Sequence, residues 1–213
     1  MSRIVWGSPS ERFFETGLDR GVLYVGINPG VPWNGLVSVN ESSDGGEARP
    51  AYIDGYKFRN ISTREEFVAT LEAFSAPKEF GVCDGSPEIH NGLVATQQPR
   101  RAFHLSYRTL IGNATTGTEH GYKIHLIYNA LAAPAEKTHS TIRETTEPDT
   151  LSWSLSTRPP VSDVYRPTAH LVIDSRYTES SAILAEVEDI LYGTGAESAR
   201  MPTQAELLTI FAP

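Results

Sequence analysis

The chain has 213 residues, 39% hydrophobic and 21% charged, which supplies enough apolar material for a core and argues against disorder throughout. Eighteen Lys and Arg against 26 Asp and Glu leave a formal charge of −8, the wrong sign for gripping a polyanion by neutralising phosphates. That charge serves solubility or, in the sharper reading, a surface that repels DNA. Cys83 is the single cysteine, so neither an internal disulfide nor a cysteine zinc cluster forms within one chain, and a reducing compartment fits. Met1 to Ser8 carries no apolar run, and no stretch nears bilayer length, so neither Sec export nor membrane insertion is expected. One domain over residues 1–213 is expected, because all-β folds of this length run as a unit.

Most segments show period-two alternation broken by Gly, Pro and Asn turns at intervals of about ten residues, the pattern of a sandwich or barrel. Gly21 to Gly26 reads as a short strand closed by Asn28-Pro29-Gly30, and Trp33 to Glu41 reads as a second. From Ser42 to Ser62 comes a long arm whose first part, to Glu47, is polar and flexible. Within it, Asp54-Gly55 lies between Tyr52-Ile53 and Tyr56-Lys57-Phe58, a strong hairpin cue. A loop of this length and aromatic content suits docking.

Glu65 to Phe74 supports two readings. Phe67, Val68, Leu71 and Phe74 fall at helical spacing, with a capping box from Thr63 and Glu66. As a strand it turns Phe67, Ala69, Leu71 and Ala73 one way and Glu66, Val68, Thr70 and Glu72 the other, and the strand is preferred. Pro77 to Val82 reads as a short helical turn. Arg101 to Leu110 and Tyr122 to Ala130 alternate and should pair as a hairpin through a turn at Gly112 to Gly121. Thr138 to Glu144, Leu151 to Thr157 and Ala169 to Asp174 are further strands. Ser180 to Tyr192 is an amphipathic helix, with Ile183, Leu184, Val187, Ile190 and Leu191 on its apolar side and Gly193 at its stop. The tail, 193–213, holds a short helix at Gln204 to Leu208.

Chemistry is scarce. The histidines at 90, 104, 120, 125, 139 and 170 lack the i, i+4 spacing of a helical metal pair and read as surface or half-buried packing. No nucleophile elbow, phosphate loop or dinucleotide fingerprint is present. Glu65, Glu66 and Glu72 lack a supporting shell for acid–base work, and Asp84 beside Cys83 raises the thiol pKa rather than activating it. Neither an enzyme, a cofactor nor a metal is expected.

Taken in order, Arg20 to Tyr24, Gly30 to Gly35 with the strand after it, Tyr52 to Lys57, Glu66 to Phe80, Phe103 to Ile111, Gly121 to Tyr128, Ala169 to Ser175 and Leu191 to Thr194 resemble one family. It is the major tail protein, or tail tube protein, of actinobacterial long-tailed phages (siphophages). The resemblance implies a mainly β chain: a β-sandwich of the phage tail-tube type with one flanking α-helix and a projecting hairpin arm. It implies hexameric rings that stack into the tube through which DNA is ejected. It also implies a virion tail location after synthesis in the host bacterial cytoplasm, and as partners the tape-measure, tail terminator and distal tail proteins. Genomic DNA would pass through the lumen without specific binding, and no membrane is involved. On this reading Ser38, Asn40, Glu66, Thr70 and Glu72 face the lumen, where like charge keeps DNA sliding, and Tyr52, Ile53, Tyr56 and Phe58 anchor the arm on the next ring. The alternatives are a distal tail or tail terminator subunit, a carbohydrate- or receptor-binding sandwich suggested by Trp33, Trp153 and nine tyrosines, and a hydrolase.

Overall fold

A computed structural model describes residues 6, 11–139, 141, 148–162, 164–178 and 180–212. The chain is mainly β and sandwich-like. Its principal sheet runs β2 (Val31–Pro32), β1 (Phe13–Tyr24), β9 (Phe103–Asn113), β10 (Gly117–Ala132), β11 (Leu151–Thr157), β6 (Glu65–Ala73), β3 (Leu36–Gly45). Strand β12 (His170–Asp174) also pairs with β10, antiparallel, from Lys123 to Ile127, whereas β11 pairs only with its last residues, Ala130 to Ala132. The long β10 therefore divides one ladder into two layers. Strands β3, β6 and β11 fold over strands β1, β9 and β10.

Alternation explains both cores. One face of β1, β9 and β10 sends Leu23, Leu105, Tyr107 and Ile127 inward to meet Ala69, Leu71, Trp153 and Leu155 from the covering layer. The opposite face sends Val22, Tyr24, Ile124, Leu126 and Tyr128 toward helices α2 (Ser181–Tyr192) and α3 (Gln204–Ile210), which bury Val187, Leu191 and Leu207 there. The Tyr24 hydroxyl donates to the Leu191 carbonyl oxygen at 2.8 Å and ties sheet to helix. Ser180 caps α2 by accepting from the Ala182 N–H, and Thr203 with Glu206 forms the capping box of α3. Two helices, not one, thus cover this face.

Glu65 to Phe74 is settled as strand, because Ala69, Leu71 and Ala73 are buried alternately and paired with β11 on one side and β3 on the other. Several expected boundaries move. The first strand starts at Phe13 rather than Gly21, because its first half pairs with β9 from Asn113 back to Thr109. The second starts at Leu36, leaving Trp33 in the core with its indole N–H donating to the Ser75 carbonyl at 2.8 Å. Ser42 to Gly45, expected as flexible loop, is strand, since β6 supplies partners as far as Gly45↔Glu65. The β9–β10 hairpin forms as expected but with a tighter link, Asn113 pairing with Gly117. Pro77 precedes a 3₁₀ turn (Lys78–Phe80) that leads into the one-turn helix α1 (Gly81–Asp84). A small hairpin of β7 (Glu88–His90) and β8 (Leu93–Val94) was not expected, although Asn91-Gly92 is a turn pair. The candidate strand Thr138 to Glu144 lies largely outside the described residues.

Candidate assembly surface

The five lumen candidates share one face of the covering layer. The register places Ser38, Glu72 and Ser152 in one row and Asn40, Thr70 and Ser154 in the next. Ser42, Val68 and Ser156 make a third, and Asp44 opposite Glu66 ends the face. Asn40 and Glu66 are exposed, and Ser38, Thr70 and Glu72 are half-buried by their neighbours rather than lost between sheets. Ser38 Oγ donates to Glu72 Oε2 at 2.8 Å. The rows carry three carboxylates and no lysine or arginine, so this face is polar, acidic and wet.

The arm is a hairpin of β4 (Ala48–Ile53) and β5 (Tyr56–Ser62) that continues the β3–β6 pair away from the body. Asp54 and Gly55 turn it with φ of 50° and 79°, as a two-residue hairpin loop of primed type requires. At its root Gly45 and Gly46 both have positive φ, and a Cβ at Gly45 would meet the Arg64 carbonyl oxygen at 2.5 Å, so only glycine fits there. The anchors are exposed, Tyr56 at 81%. They do not all share a face. Ile53 opposes Tyr56 on one side and Tyr52 opposes Lys57 on the other, and an irregularity between Ala51 and Tyr52 leaves Phe58 as the extra residue of β5. The side of Ile53 and Tyr56 also carries Arg49 opposite Ile61 and Ala51 opposite Arg59, so apolar and basic residues share that face.

Between the layers, near the root of the arm, four strands converge on a cluster that the spacing of the histidines does not reveal. Glu41 of β3 is surrounded by Tyr107 of β9, His125 of β10 and His170 of β12, and the Tyr107 hydroxyl donates to its Oε1. Burial pushes the Glu41 carboxyl up, but hydrogen bonds from His125 and Tyr107 outweigh it and hold the group at about 2. Burial lowers the pKa of His170 despite nearby Glu41, and burial alone lowers that of His104. Both histidines bind a proton more readily unfolded than folded, so their contribution is complete above the usual histidine value and is lost as pH falls through it. Glu41 adds a second loss between its unfolded value of 4.5 and about 2. The urea midpoint should therefore be lower at pH 5 than at pH 7.5; equal midpoints would contradict this assignment. Cys83 is fully buried, and burial followed by adjacent Asp84 pushes its thiol up to about 12, consistent with an inert side chain.

Trp33 and Trp153 are buried at 3% and 2% and pack on Phe80, so neither offers a stacking platform to a sugar. No helix among the described residues is long and apolar enough to cross a membrane.

No family model and no curated protein matches the chain. Similar solved structures include a chain of the anti-feeding prophage baseplate, 6-fold symmetrised, at 10% identity and a TM-score of 0.38, covering 81% of this chain and 97% of that one. A second belongs to the sheath/tube terminator of an extracellular contractile injection system, PVC, in its extended state. It is 14% identical at a TM-score of 0.36, covering 80% and 99%. A third comes from the anti-feeding prophage tube terminating cap, at 11% identity and a TM-score of 0.36, covering 82% and 96%. At these values the likeness carries no argument about what this chain does.

Proposed function

We propose that the chain is a structural tail subunit, without catalytic activity or cofactor, that associates with copies of itself into a ring around a water-filled bore. The observation that carries this reading is the projecting arm, whose exposed Tyr52, Ile53, Tyr56 and Phe58 belong to neither core of their own chain. Isolated exposed apolar residues are ordinary, but four clustered around the turn of one hairpin make an anchor for a neighbour. An apolar groove between β12 and the two helices, lined by Leu171, Ile183, Leu207 and Phe211, is a receiving surface for that cluster on the next copy. Among the described residues β3 pairs only with β6 and β12 only with β10, so each leaves an open edge for subunit pairing.

In the stacked form the subunit is a tail tube protein made in the host cytoplasm, meeting tape-measure, terminator and distal proteins, and six copies per ring let genomic DNA pass without adhesion. In the second form, that of a tail terminator or distal subunit, the same edges close one ring that does not propagate. Assembly length separates the two forms.

The acidic face of β3, β6 and β11 is assigned to the bore. Glu66→Lys with Glu72→Lys should make assemblies retain short duplex DNA at low salt, release it as salt rises and protect it from nuclease. The matching reversal on the outer side of α2, Glu186→Lys with Asp189→Lys, should give DNA that nuclease digests. Equal digestion in both would remove the bore assignment.

A further inference from the structure

We propose that Glu41, His125 and His170 form a site for a divalent transition-metal ion of the zinc type, clamping the root of the arm to the sheet beneath it. The three residues come from β3, β10 and β12, and one ligand atom from each falls within 4.8 Å of the others. His125 Nδ1 lies 3.0 Å from Glu41 Oε1 and 3.3 Å from His170 Nε2. Two donors held at about 2.0–2.1 Å from a tetrahedral ion stand about 3.3–3.4 Å apart, so His125 already stands near that spacing from both partners, while Glu41 Oε2 lies 3.6 Å from His170 Nδ1. Two imidazoles and a carboxylate suit zinc, cobalt or nickel and not calcium or magnesium, which take oxygen ligands.

The surroundings hold the donors in place. Thr109 Oγ1 is 3.0 Å from His125 Nε2, so an Nε2–H donating to it leaves the Nδ1 lone pair free for the ion. Tyr107 donates to Glu41 and its ring stacks on His125 at 4.7 Å and 6°, while Phe67 stacks on His170 at 4.4 Å. Both histidines are largely buried, their side chains 8% and 13% exposed, whereas Glu41 is 34% exposed and opens the site to solvent and a water ligand. The ligands bind a metal only when unprotonated, so binding weakens in acid. Glu41 stands four residues before Gly45, and an ion there fixes the strand from which the arm projects.

The test is titration of the purified, tag-free chain with Co2+ and then Zn2+. One equivalent of Co2+ should develop the visible absorption of a four-coordinate site, Zn2+ should displace it, and Zn2+ at about a hundredfold excess over its Kd should raise the melting midpoint by roughly 5–10 °C. Glu41→Gln and His170→Ala should abolish the band, and His90→Ala, at an exposed histidine, should leave it intact. Tyr107→Phe, which removes only the supporting hydroxyl, should weaken affinity about 10- to 100-fold and covers the case in which a ligand variant fails to fold. Absence of a one-equivalent band, or affinity unchanged in both Glu41→Gln and Tyr107→Phe, overturns the proposal.

Discussion

Removal of residues 47–62, with Gly46 joined to Thr63, is expected to leave a folded chain that no longer self-associates. The Gly46 N–H already donates to Thr63 Oγ1 at 3.1 Å, so the new junction spans neighbouring atoms. No residue of β4 or β5 belongs to either core, which keeps the cost to folding small. The cost to association is large, because buried aromatic anchors at an interface contribute about 2 kcal/mol or more each. Circular dichroism and light scattering read the two effects separately. A native spectrum with monomer mass is the expected pair of results; assembly at wild-type concentration would show that the arm is dispensable. Phe58→Ser alone should raise the concentration needed for assembly, while Arg59→Ser should act mainly through salt dependence.

Trp153→Ala is expected to be the most destabilising single substitution in the sandwich. The indole faces inward from β11 opposite Leu71, is 2% exposed, and packs edge-on to Phe80 at 5.0 Å and Trp33 at 6.0 Å. Truncating such a side chain costs about 3–5 kcal/mol, a large part of the stability of an ordinary domain. For a chain of this size that lowers the melting midpoint by roughly 6–20 °C. Trp153→Phe should cost much less than the alanine change. The Trp153 N–H has no hydrogen-bond partner among the described residues, so phenylalanine keeps most of the volume and removes an unpaired donor. Equal losses for the two variants would place the stabilisation elsewhere.

The parts of this structure that were legible in the sequence are those set by local period or turn chemistry. Asp54-Gly55 announced the arm, Leu151 to Thr157 alternated cleanly between buried and exposed positions, and the apolar stripe of α2 ended at Gly193. Glu65 to Phe74 was ambiguous because its apolar residues satisfy both periods; pairing with two neighbouring strands decides it, and that is a tertiary effect. Ser42 to Gly45 read as loop because their side chains are polar, yet they lie on the wet side of an edge where the backbone alone makes the ladder. The opposition of Tyr52 and Ile53 follows from alternation alone, whereas the place of Phe58 depends on one ladder irregularity that leaves it as the extra residue of β5. The Glu41, His125 and His170 cluster had no local signal. Its members are 129 residues apart at the extremes of the sequence, and only the folding of β3 over β10 and β12 brings them together.

Self-association is the claim on which the functional account rests, and negative-stain electron microscopy of the purified chain over a concentration series tests it most directly. The account expects closed rings, singly or stacked into tubes, at concentrations where the variant lacking residues 47–62 shows neither. Uniform monomers of the intact chain across the series would contradict it.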